Sequence, residues 1–113
     1  SFLRRDPLKT TETNVQQLLE NAGDRARMVD LEKHIDELMV LLAEECGELT
    51  QACMKIKRHG LEPHRITALI EEVGDVQCLI DLLITHDVMT FDQIYDRVDV
   101  KREKLQQWSN LYD

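Results

Sequence analysis

The sequence is poor in the residues that turn-rich and disulfide-built folds need. It holds 4 glycines, 2 prolines and, among aromatics, 1 Trp, 2 Tyr and 2 Phe. That scarcity excludes a β fold with frequent turns. The 3 cysteines are an odd number and have no Cys-x-x-Cys spacing, which excludes a disulfide framework and a zinc site. Cys46, Cys53 and Cys78 therefore read as small core or near-core residues of a chain kept in a reducing cytoplasm. No apolar run approaches the ~20 residues of a membrane span, and the first residues lack a signal-peptide pattern. Basic residues are also short, with 14 Lys and Arg against 22 Asp and Glu. A net charge of −8, without a Lys/Arg stripe interleaved with aromatics, argues against binding a nucleic-acid polymer.

What is present is a globular balance of 42% hydrophobic and 32% charged residues, and it reads as all-α. At 113 residues the chain makes one domain with a shallow core, so homo-oligomerisation is expected to complete it. The predicted architecture is an antiparallel helical bundle of about four main helices. Residues 1–29 form an N-terminal arm and a short helix, and residues 30–110 form the helical core.

Ser1 to Thr10 shows no periodicity. Thr13 and Gln16 have capping-box spacing before Val15, Leu18 and Leu19, and Gly23 suits a helix C′ position, predicting a short helix from about Asn14 to Ala22. Asp30 can cap a long second helix. That helix ends in Lys55, Lys57, Arg58 and His59 before Gly60, where cations favour the carbonyl end. The connection Gly60 to His64, with Pro63, is short enough only to return the chain antiparallel. A third helix then runs from about Arg65 to His86. Thr90 and Gln93 repeat the capping-box spacing and open a last helix with the stripe Phe91, Ile94, Val98, Leu105 and Trp108.

The two middle helices carry the same five-residue pattern, Glu-Glu-x-Gly-acid: Glu44-Glu45-Cys46-Gly47-Glu48 and Glu71-Glu72-Val73-Gly74-Asp75. At about 100° per residue, Leu31, Leu38, Leu42, Leu49 and Ile56 form one stripe, with Glu45 inside it and Glu48 at its edge. Leu69, Val76, Leu79 and Leu83 form the other, with Glu72 inside and Asp75 at the edge. Glu44 and Glu71 are turned further toward solvent. Acidic helix faces are usually solvated, but a solvated face does not place its acids in the apolar stripe. An ionised carboxylate on a surface destined for burial needs a cation or a set of donors. A glycine inside a helix costs about 1 kcal/mol relative to alanine. Gly47 and Gly74 therefore imply either close approach of a neighbouring helix or room for a ligand.

Four carboxylates on two packed helices suit a hard divalent cation such as Mg²⁺, with Mn²⁺ as a substitute. Helical bundles also build di-iron sites, but those call for Glu-x-x-His pairs, and no histidine here has a Glu three residues before it. Acids without histidine suit phosphoryl chemistry, in which metal clamps phosphates and activates a water. Lys101 lies on the stripe of the last helix and Lys104 near its edge. Lys101 either snorkels out of the core or faces the acids. His34 precedes Glu45 by about three helical turns, and it serves either packing or substrate stacking. His59, His64 and His86 read as solvated or capping groups.

Glu44, Glu45 and Glu48, followed after a loop by Glu72 and Asp75, resemble the MazG-like all-α nucleoside triphosphate pyrophosphohydrolases. Helix order, motif spacing and the Lys-x-x-Lys of Lys101 and Lys104 before an aromatic extend the likeness over roughly Asp30 to Trp108. The resemblance implies a Mg²⁺-dependent hydrolase that cleaves between the α and β phosphates of a (deoxy)nucleoside triphosphate, releasing the monophosphate and pyrophosphate. It implies nucleotide-pool control in the cytoplasm and a homodimer or homotetramer with helices from two chains around the site. Glu45, Glu48, Glu72 and Asp75 carry over as metal ligands, Glu44 as either a group that supports those ligands from behind or a water-orienting base, and Lys101 and Lys104 as phosphate contacts. Two rivals belong to other classes: a non-enzymatic helical interaction module with acidic faces, and a metal-storing carboxylate bundle.

Overall fold

The computed structural model describes residues 11–113, with side chains from Val15 onward. It is all-α: α1 spans Thr11–His59, α2 Pro63–Thr85 and α3 Phe91–Trp108, with no strand among the described residues. The chain divides between His34 and Ile35 into two units.

The described part of the first unit is the beginning of α1. Val15, Leu18, Leu19, Met28 and Val29 are exposed there, while Asn21 is half-buried. Gln17 donates to the Asn21 side chain at 3.2 Å, and Arg27 pairs with Asp24 one turn away. Here the four-helix expectation is corrected to three helices, because the short helix and the long one are continuous through Gly23 and Asp30. The energetics explain why. An interior Gly costs about 1 kcal/mol, whereas stopping and restarting a helix strands up to about eight backbone groups at the two new ends. Residues 22–30 contain no proline to force the break. Thr13 consequently lies inside α1 rather than at its cap, since helix is already formed at Thr11. The arm predicted for Ser1 to Thr10 lies outside the described residues.

In the second unit α1 and α2 form a hairpin. The half-buried and buried positions of α1 are Ile35, Leu38, Leu42, Glu45, Leu49, Ala52 and Ile56. Those of α2 include Arg65, Leu69, Glu72, Val76, Leu79 and Leu83. Both sets alternate steps of three and four residues, the spacing of a two-helix seam. Leu38, Leu79 and Leu83 form the buried cluster, with Leu42 and Met89 packed against it. Leu31, expected on this stripe, is instead 38% exposed. All three cysteines are exposed, correcting their assignment as core residues. Ala52, not Cys53, occupies the buried seam position.

The turn works as the sequence predicts at Gly60, whose φ of 94° suits glycine at the end of a helix. Its N–H donates to the Ile56 carbonyl at 2.8 Å. Arg65 then donates to the carbonyls of His59 at 2.8 Å and Gly60 at 3.2 Å, satisfying groups that the helix end leaves open. Pro63 opens α2 rather than lying in the connection, with Glu62 as N-cap. The Thr90/Gln93 capping box is present. Gln93 N–H donates to Thr90 Oγ1 at 3.1 Å, and Thr90 N–H to Gln93 Oε1 at 3.0 Å. On α3, Ile94, Val98 and Leu105 are half-buried, whereas the predicted stripe members Phe91 and Trp108 are exposed.

Candidate metal centre

The antiparallel seam determines which acids meet. Leu38 packs with Leu79, and a step of seven residues forward on α1 with seven backward on α2 brings Glu45 opposite Glu72. Asp75 lies one turn further along α2. Glu45, Glu72 and Asp75 each place one carboxylate oxygen so that all three atoms lie within 4.8 Å of one another. Glu45 and Glu72 are half-buried, and Asp75 is exposed.

Glu48 is exposed and stands outside this group of three, but its charge still acts on Glu72. Glu44 and Glu71 are exposed, as their outward rotation predicts. Lys101 and Lys104 are exposed on α3. His34 is exposed and belongs to the first unit, whereas the acids belong to the second. Among the described residues no Lys or Arg forms an ion pair with Glu45, Glu72 or Asp75; Arg102 pairs instead with Asp99 at 3.0 Å.

Glu72 experiences the most demanding environment. Its Oε2 is shielded from solvent and has no hydrogen-bond partner. Its carboxyl is pushed above the ordinary glutamate range, first by desolvation. A hydrogen bond with the Glu45 side chain adds to this, followed by repulsion from Glu45, Asp75 and Glu48. Two ionised carboxylates have no donor to offer one another. A hydrogen bond between them requires one proton held at the pair, and that is the metal-free way to relieve this contact.

A divalent cation is the other way. Three oxygen donors, without nitrogen or sulfur among them, match the preference of Mg²⁺ or Mn²⁺. Clustered acids also occur on solvated surfaces, so this geometry supplies a ligand set without identifying a reaction. A Cβ at Gly47 or Gly74 would meet nothing within 4 Å, and each glycine lies two residues, about 200° round its helix, from Glu45 or Glu72. The close helix approach that could account for these glycines is therefore not made by α1 against α2.

The shielded oxygen was not itself legible in the sequence. Its signal was the place of Glu72 among the apolar seam positions. Comparisons with known protein families, with curated proteins and with solved structures find no match.

Proposed function

We propose that the protein is a Mg²⁺-dependent nucleoside triphosphate pyrophosphohydrolase, with Mn²⁺ as a substitute, acting on the bond between the α and β phosphates. The observation that carries this reading is the convergence of Glu45, Glu72 and Asp75 from two copies of one motif. The resemblance of these motifs to the MazG-like family supplies the reaction class.

In this reading Glu45, Glu72 and Asp75 hold the cation, and Glu48, on the adjoining turn, joins them as a further ligand. The cation would neutralise phosphate charge and favour ionisation of a water. Glu44 orients that water, taking its proton as the anhydride bond breaks. The products are the nucleoside monophosphate and pyrophosphate. Lys101 and Lys104 offer ammonium groups to phosphate oxygens.

The same reading assigns a homodimer or homotetramer. Among the described residues only Leu38, Ala52, Leu79 and Leu83 are buried, while Leu61, Trp108 and Leu111 are 72%, 83% and 77% exposed. Folding leaves that much apolar surface in water only at considerable cost. These same surfaces favour the second reading, a non-enzymatic helical interaction module.

Product analysis separates the two. The protein is incubated with each common ribo- and deoxyribonucleoside triphosphate and Mg²⁺ or Mn²⁺, and monophosphate, diphosphate, pyrophosphate and orthophosphate are resolved. Monophosphate with equimolar pyrophosphate is expected. Diphosphate with orthophosphate overturns the bond assignment, and absence of turnover with every nucleotide favours the interaction module.

A further inference from the structure

We draw no further inference here: the strongest candidate, the exposed apolar stripe of Val15, Leu19, Ala22, Ala26 and Val29 along the N-terminal part of α1, is an unpartnered helix face, and nothing in the structure shows what covers it.

Discussion

Glu45 of α1 and Glu72 of α2 occupy seam positions that Leu38 and Leu79 fill one heptad away, and each brings a carboxylate oxygen within 4.8 Å of the other. A hydrophobic seam that continued unbroken would be more stable in isolation, since two like charges oppose the packing that their neighbours favour. Asp75 adds a third oxygen within the same distance, and among the described residues no lysine or arginine forms an ion pair with the three acids. A proton shared by the pair or a bound cation would relieve it.

Metal should therefore raise the thermal midpoint of the protein. Millimolar Mg²⁺ or Mn²⁺ is expected to shift it upward by several degrees through preferential binding to the folded state, and a chelator should reverse the shift. Glu45→Gln, Glu72→Gln and Asp75→Asn should each abolish most of that shift and lower turnover by on the order of 100-fold or more. Glu44→Gln and Glu71→Gln should preserve the metal response, with Glu44→Gln the more damaging to turnover. A wild-type melting curve indifferent to both metals would contradict the assigned ligands.

The pH dependence of the metal-free protein follows from Glu72. Its carboxyl is raised in the folded state, chiefly by desolvation and then by Glu45. The folded protein thus holds this proton more tightly than the unfolded chain does. Stability from this group is fully present below the ordinary glutamate pKa and is lost as pH rises through the raised folded value. In chelator, wild type should lose stability with rising pH across that window, whereas Glu72→Gln should show a flatter profile. Metal affinity should run the other way, rising as Glu72 ionises. Parallel denaturation profiles for the two proteins would contradict the assignment of this slope to Glu72.

The seam was legible in the sequence because steps of three and four residues leave a periodic record, and Glu45 and Glu72 appear in that record as acids in apolar places. The cap at Thr90 and the stop at Gly60 were legible for a similar reason: each depends on residues within one turn. The continuity of α1 was not. Gly23 and Asp30 are local signals of modest strength, and they compete with a ladder of backbone hydrogen bonds that no single residue displays. Cys46 and Cys53 were misplaced because each lies one residue past a seam position, Glu45 and Ala52, and about 100° of rotation separates the core from solvent.

The glycines of the twin motif offer a test that separates helix propensity from site shape. Among the described residues, the Cβ of an alanine at Gly47 or Gly74 meets nothing within 4 Å beyond its own stretch of helix backbone. Each replacement should therefore stabilise its helix by about 0.5 to 1 kcal/mol. If substrate or a helix of another copy packs against either glycine, turnover should fall despite that gain. Denaturation and turnover measured on the same preparations decide it, and full activity in both stabilised variants would leave the glycines without a functional role.

The hairpin core should be sensitive to a single truncation. Leu83 is 3% exposed and packs with Leu38 and Leu79 in a cluster that holds few other buried side chains. Leu83→Ala is expected to cost about 2 to 4 kcal/mol. Thr90→Ala, which removes one half of a capping box, should cost about 1 kcal/mol. Chemical denaturation at matched protein concentration checks both, and a cost at Thr90 larger than at Leu83 would mean that the cluster is not the main source of stability.

Association should supply the burial that a single chain lacks. The described hairpin exposes Met39, Leu41, Met54, Ile70 and Val73 by more than a third, and Trp108 beyond it is 83% exposed. Transfer of such side chains out of water is worth about 25 cal/mol per Å². Even partial coverage by a second copy therefore outweighs the loss of rotational and translational freedom once the interface reaches the size of a stable homodimer, about 2,000 Å² or more. Light scattering at micromolar concentration should give a dimer or tetramer, and the fluorescence of Trp108, the one tryptophan of the chain, should shift to the red on dilution if that residue lies in the contact. A fully folded monomer at the same concentration would remove the homo-oligomer from the proposed function. The acidic triad would remain to be judged by its metal response alone, because all three of its acids come from one chain.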